Sequence, residues 1–177
     1  MSLNYVGSRH GAQRNLTDPI LINGTDTVTV GDAVEVYTNG KATNGAAATP
    51  IKGIVMAITD ANGLPQLKGA NVAGSANSPD TNSVTADGND YVIIDTSVNS
   101  LYSAEVSGTL GTTVSSTLPG CKIDIDSANT DYGRLLESTA TRTVGTPANF
   151  YSHKVDPNDS TRLIVSIALS EEDSVYE

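Results

Sequence analysis

Large aromatic residues and cysteine are scarce in this chain. Tryptophan is absent, and phenylalanine and cysteine each occur once in 177 residues. Apolar residues make up 38% of the sequence, which is below the usual range for a globular domain. The lone Cys121 excludes an internal disulfide, and we interpret it as a small buried residue rather than a nucleophile. We expect four of the seven tyrosines to pack in a core or at a barrel mouth: Tyr91, Tyr102, Tyr132 and Tyr151.

Positive charge is also scarce. Ten Lys and Arg residues stand against 20 Asp and Glu residues, giving a net charge of -10 and a pI near 4.4. Such a chain lacks the cations that neutralise phosphates, so we predict no nucleic-acid partner. The N-terminal end is the exception, because Arg9, His10 and Arg14 precede the first acid, Asp18. Residues 171–177 form an acidic C-terminal tail instead.

Long apolar runs are missing throughout. The N-terminus, MSLNYVGSRHG, has no apolar region of the kind that a secretory signal needs. No stretch approaches the length of a membrane-spanning helix. We therefore expect a protein that is made in a cytoplasm and has no membrane partner.

Alternating apolar residues are the main signal that is present. Between Thr27 and Asp60, β-branched residues alternate with polar ones in two runs that glycine, asparagine and proline separate. This period is typical of strands with one buried face. Asn39-Gly40 is a strong hairpin signal, since both residues tolerate positive φ. Ile51 to Asp60 is the best strand candidate, and Gly53 within it predicts a bulge or a close backbone approach.

The same pattern continues to Leu169 and predicts an all-β fold. We expect a single β-barrel or β-sandwich domain over residues 27–170, with about 8–11 short antiparallel strands. Residues 1–26 are predicted to be an extended N-terminal arm, which docks on its own barrel or on another subunit. Leu64 to Asp90 is predicted to be a long surface excursion with one short strand, Ser83 to Thr85.

Three sets of residues are candidates for a site. In the arm, an aromatic residue in an otherwise polar segment and the cationic stretch beside it predict partner contacts at Tyr5, Arg9, His10 and Arg14. The alternative is a solvated tail. Asp124 and Asp126, with Asp131, have the spacing of carboxylates that chelate Ca²⁺ from one strand face. Solvent-facing strand charges explain the same aspartates, and the EF-hand pattern is absent. We predict no cofactor, and whether Asp124 and Asp126 bind Ca²⁺ stays open.

His153 is the candidate for hydrolytic chemistry. A triad would combine it with Asp156 and a serine, but no Gly-x-Ser-x-Gly elbow accompanies it. Lys154 and Asp156 beside it are typical of an ordinary exposed strand. Gly-rich phosphate loops are missing as well. The sequence therefore favours a protein that is not an enzyme.

Several short motifs resemble a known family. GDAV at residues 31–34 and GIVMA at residues 53–57 are similar to paired strands in the small β-rich decoration, or cement, proteins of tailed-phage heads. Tyr91 to Asp95, Leu101 to Gly108, and the closing segments after Asn149 resemble patterns of virion structural proteins. The resemblance covers roughly residues 28 to 169, and its family has no catalytic site to carry over.

The resemblance implies a structural role. It implies a capsid decoration protein that binds the lattice of the major capsid protein on the virion surface, as a homo-oligomer, either a trimer or a dimer, after synthesis in the host cytoplasm. Many shallow contacts repeated by symmetry would supply the affinity. The alternative is a virion fibre, tail or surface module that binds a host receptor or carbohydrate through Leu64 to Asp90.

Overall fold

β-Strands are the main regular structure in the part of the chain that the structure describes. A computed structural model describes residues 3–65, 83–107, 110, 120–129, 131–141 and 148–168. These residues contain no α-helix, two short 3₁₀ turns (Arg9–Gly11 and Ser127–Asn129) and thirteen strands, so the all-β prediction is confirmed. The strands are β1 Asn4–Ser8, β2 Ile20–Leu21, β3 Thr27–Thr29, β4 Ala33–Val36, β5 Ala42–Asn44, β6 Gly53–Thr59, β7 Ser83–Thr85, β8 Tyr91–Asp95, β9 Ser100–Ser107, β10 Lys122–Asp126, β11 Asp131–Thr141, β12 Phe150–Asp156 and β13 Asp159–Ile167.

Five of the long C-terminal strands close into a barrel. Their order is β9-β11-β10-β12-β13, and β13 returns to pair with β9 from Arg162↔Glu105 to Val165↔Tyr102. Closure removes the exposed edges of a sheet. The pairing of β9 with β11 is parallel, which departs from the all-antiparallel expectation. The reason is the hairpin between β10 and β11, which folds β11 back beside β9 with the same chain direction.

The N-terminal half forms a second sheet, with the order β2-β8-β6-β4-β5. The two motif segments GDAV and GIVMA are neighbours here, since Ala33 pairs with Ile54 and Val34 with Gly53. One isolated bridge, Ile22↔Ala42, joins the chain after β2 to the opposite edge strand β5, so the sheet curls on itself. A two-stranded ribbon of β3 and β7 accompanies it.

Two hydrophobic cores result from the alternation along these strands. Ile54 of β6 packs in the barrel core, and the next residue, Val55, packs in the core of the second sheet. Gly53 of β6 lies very close to the backbone at the end of the neighbouring strand β8. A Cβ at Gly53 would be 2.4 Å from the carbonyl oxygen of Asp95. The close backbone approach predicted at Gly53 is therefore confirmed.

The N-terminal residues belong to the folded domain. β1 pairs antiparallel with β9, β2 pairs with β8, and Leu3 is buried in the barrel core. These residues are strands of the domain's own sheets, so an extended arm that projects from the domain is not confirmed. Docking on its own barrel is one of the two placements that the sequence analysis predicts for this segment. In the predicted excursion, β7 occupies Ser83–Thr85 as expected, and residues 66–82 lie outside the described residues, as does the acidic tail 171–177.

Candidate functional site on the N-terminal segment

Asp95, the last residue of β8, anchors the N-terminal segment, which we define as residues 3–17. Its carboxylate is fully buried and lies where the second sheet meets the barrel. One oxygen, Oδ2, accepts hydrogen bonds from three side chains, and the other, Oδ1, accepts from two backbone N–H groups. The donors are Arg14 Nε at 3.1 Å, Ser100 Oγ at 2.7 Å, Tyr102 OH at 2.9 Å, Asn15 N at 3.3 Å and Ser97 N at 3.0 Å.

These donors keep the Asp95 carboxylate charged. Burial by itself raises the pKa of Asp95, but the hydrogen bonds from Ser100, Ser97, Tyr102 and Arg14 together hold that pKa below its ordinary value. Burial and the neighbouring negative charge also raise the pKa of Tyr102 strongly. Tyr102 therefore stays protonated and acts as a donor. The result is a charged, hydrogen-bonded centre that fixes the path of the N-terminal segment.

Tyr5 and Arg14, two of the predicted partner-binding residues, meet at this centre. The Arg14 guanidinium lies over the Tyr5 ring, 4.3 Å from its centroid. Tyr5 in turn packs edge-to-face on Tyr102, with 6.1 Å between ring centroids. Cation–π and edge-to-face contacts each contribute modest stabilisation, and here they share their members with the Asp95 hydrogen bonds. The segment is thus held rigidly against the domain.

Arg9 and His10, the other two predicted residues, lie outside the Asp95 centre. They form the 3₁₀ turn that follows β1, and both are exposed. The Arg9 backbone N–H donates to the carbonyl of Asn99 at 2.7 Å. His10 has φ 55 and ψ 25, a left-handed conformation that is uncommon for a residue with a Cβ. The turn therefore presents two cationic or titratable side chains to solvent in a fixed geometry.

Exposed apolar side chains concentrate on the same segment. Six large hydrophobic residues are exposed in the part of the chain that the structure describes, and three of them belong to residues 3–17. These are Tyr5 at 36%, Val6 at 50% and Leu16 at 51% relative exposure. They share one chain segment with Arg9, His10 and Arg14, and aromatic residues and arginine are enriched in interaction sites.

The expectation that Asp124 and Asp126 face solvent is wrong. Asp126 is fully buried, and Asp124 is only 8% exposed. Asp124 Oδ1 accepts from the Asn149 backbone N–H at 3.0 Å, and Asp126 Oδ2 accepts from Arg134 at 3.1 Å. The register of β10 against β11 shifts on both sides of Asp124 and Ile125, which breaks the strict two-residue alternation.

The two aspartates are therefore occupied by protein donors. Among the described residues no group of three or more His, Cys, Asp or Glu side chains has the arrangement of a metal site. The side chain of Asp131, the third member of the predicted cluster, lies outside the described part of the chain.

His153 and Asp156 point to different partners. His153 Nε2 lies 2.9 Å from Ser166 Oγ, and burial together with the charge of Arg9 lowers the pKa of His153. Asp156 instead accepts from Ser103 Oγ at 2.5 Å and from the Asn158 backbone N–H at 2.9 Å. The expectation of an ordinary exposed strand holds for Lys154 and fails for Asp156, which is buried.

Sequence analysis missed Asp95. The available signal was its position as the first acidic residue after the apolar run Tyr91–Ile94, directly before a polar turn. An aspartate in this position is equally typical of the plain end of a strand. Its strongest partner by charge, Arg14, is 81 positions away along the chain, so spacing alone does not connect them.

Searches of protein-family models, curated proteins and solved structures find nothing that matches this chain. Within the described residues, no helix has the length and apolar character that crossing a membrane requires. Any functional assignment therefore depends on the residues themselves, and of the candidates Tyr5 and Arg14 meet on the N-terminal segment.

Proposed function

We propose that this protein is a structural virion protein that decorates and stabilises a bacteriophage capsid by binding the lattice of the major capsid protein. The N-terminal segment is the lattice-binding surface. In this proposal the protein acts on the capsid surface as a homo-oligomer, either a trimer or a dimer. It is not an enzyme and does not bind nucleic acid. The observation that carries the proposal is the concentration of exposed apolar and basic side chains on residues 3–17.

Anchoring of the segment supports this role. Binding costs free energy when loops and side chains have to be ordered, and a surface that is already ordered avoids much of that cost. The Asp95 centre fixes Arg14 and, through it, Tyr5. Val6 and the Arg9 turn extend from the same short strand. Tyrosine and arginine are also the residue types that contribute most to protein interfaces.

Charge supports the same surface. The chain carries a net charge of -10, so a basic turn at Arg9 and His10 stands out against an acidic background. Rim charges of this kind chiefly steer association and fix orientation. On a capsid, weak contacts repeated by symmetry add up through avidity, so a small surface is sufficient.

The family resemblance is consistent with the fold. The two motifs that carry it, GDAV and GIVMA, lie on adjacent antiparallel strands, with Ala33 opposite Ile54. Short motifs that are separated in sequence and paired in space form one structural unit. This pairing supports the proposal.

Charge and polarity reversal on the segment tests the proposal. Val6→Asp and Arg9→Glu change exposed side chains and leave the donors of Asp95 in place. We expect each variant to bind about tenfold more weakly to capsids that lack the protein, as measured by co-sedimentation. Tyr37→Asp, which changes an exposed apolar residue elsewhere, is the control and should bind normally.

Circular dichroism should show that all three variants are folded. Undiminished binding of both segment variants, with the fold intact, would refute the assignment of residues 3–17 as the lattice-binding surface. Equal weakening by Tyr37→Asp would also contradict it, because a general loss of apolar surface would then explain the result.

A further inference from the structure

Asn-Gly pairs are chemically reactive, and this chain has four of them. The backbone nitrogen of the glycine can attack the Cγ carbon of the asparagine side chain. A new N–C bond then forms, the bond from Cγ to the amide nitrogen breaks, and ammonia leaves. Water opens the resulting succinimide to aspartate or isoaspartate. Glycine favours the attack because it has no Cβ to restrict the approach, and asparagine is accordingly a labile residue in heated proteins.

In three of the four pairs the attacking nitrogen is engaged. The Gly40 N–H donates to the carbonyl of Tyr37 at 2.8 Å, and the Gly63 N–H donates to that of Asp60 at 3.1 Å. The Gly45 N–H donates to Ala33 at 2.9 Å. Each of these nitrogens must break a backbone hydrogen bond before it can reach the neighbouring Cγ.

The fourth pair, Asn23-Gly24, is different. Gly24 is exposed, has φ +55, and has no atom within 4 Å of the position where a Cβ would be. In the described part of the chain, neither its N–H nor the Asn23 side-chain amide has a hydrogen-bond partner. The flanking backbone is ordered by other contacts, because the Asn23 N–H donates to the Ala42 carbonyl at 2.7 Å.

We propose that Asn23 is the deamidation site of the native protein. The Gly24 nitrogen attacks Asn23 Cγ with the loss of ammonia, and hydrolysis leaves mainly isoaspartate, which places one extra methylene in the backbone. The position matters for the fold, because the preceding residue, Ile22, forms the bridge to Ala42 that joins the two edges of the second sheet. The product therefore changes backbone length and adds a negative charge at the closure of that sheet.

Peptide mapping by mass spectrometry tests the proposal. The native full-length protein is incubated at mildly alkaline pH, sampled over time and digested. The conversion of each asparagine is followed by its mass increase, and isoaspartate is distinguished by fragmentation. We expect Asn23 to convert about three- to tenfold faster than Asn39 or Asn62, the factor that corresponds to breaking one backbone hydrogen bond.

The urea-unfolded protein is the reference. In urea, the conversion rates of Asn23, Asn39 and Asn62 should become equal. Faster or equal conversion at Asn39 or Asn62 in the native protein would overturn the proposal. A preference for Asn23 that persists unchanged in urea would overturn it too, because local sequence rather than the fold would then be the cause. Asn23→Gln should remove the fastest phase of ammonia release and leave the conversion of the other three pairs unchanged.

Discussion

The barrel and the second sheet achieve stability by different means. The barrel uses strands of five to eleven residues and buries Tyr102 and Phe150 in its core. The second sheet uses strands of two to seven residues, and its core consists entirely of valine, isoleucine and alanine. Several residue pairs close the barrel between β9 and β13, whereas a single bridge joins the edges of the second sheet.

A buried and a half-buried carboxylate support the second sheet. Asp95 receives five hydrogen bonds where the second sheet meets the barrel, and Asp26 accepts from Thr43 at 2.6 Å near the closing bridge. A chain with so few aromatic residues cannot fill two large cores. It places its two fully buried aromatic side chains in the barrel, whereas hydrogen-bonded carboxylates occur in both regions. The two regions should therefore respond differently to truncation of their largest apolar side chains.

Truncation of the barrel core should have the largest effect. Phe150 is fully buried, so Phe150→Ala removes a ring and leaves a cavity. We expect a loss of about 3–5 kcal/mol in the free energy of unfolding, measured by urea denaturation. In the second core, Ile94→Val should cost about 0.5–1.5 kcal/mol. A cost for Phe150→Ala no greater than that of Ile94→Val would contradict the ranking of the two cores.

Removal of the Asp95 charge should have the next largest effect. Asp95→Asn leaves an amide that cannot accept all five donors, and Arg14 loses its ion-pair partner. We expect a cost of about 2–4 kcal/mol in the free energy of unfolding at neutral pH, measured by the same urea titration. Asp60→Asn changes a loop carboxylate that binds only exposed backbone N–H groups, and this control should cost less than about 1 kcal/mol.

The stabilisation that Asp95 provides should decrease as the pH falls. The pKa of Asp95 is lower in the folded protein than its ordinary value of 3.8. Its ionised form therefore stabilises the fold above that value, and this stabilisation is lost as the pH falls through the folded pKa. The difference between wild type and Asp95→Asn should shrink below about pH 4. A difference that stays constant into that range would show that the charge of Asp95 is not what stabilises the joint.

Local patterns predicted strands well and long-range polar contacts poorly. The bounds of β7 follow from a short β-branched run and from the turn residues around it, which are local signals. The five donors of Asp95 come from separate segments, and Arg14 and Asp95 are 81 positions apart. Register shifts in β10 reversed the expected exposure of Asp124. Such features depend on tertiary packing, which a single sequence does not reveal.

The smallest expected effect concerns Gly53, where β6 comes very close to its neighbour β8 in the second sheet. At Gly53, a Cβ would lie 2.4 Å from the carbonyl oxygen of Asp95, so Gly53→Ala has to move the backbone of β6 or β8. We expect a cost of about 1–3 kcal/mol by urea denaturation, as for other overpacked sites. Gly40→Ala is a useful comparison, because no atom lies within 4 Å of the added Cβ. Its only cost is the positive φ of 78°, which should lower the free energy of unfolding by about 1 kcal/mol. If Gly53→Ala is neutral, β6 and β8 can separate slightly at this point without a measurable loss of stability.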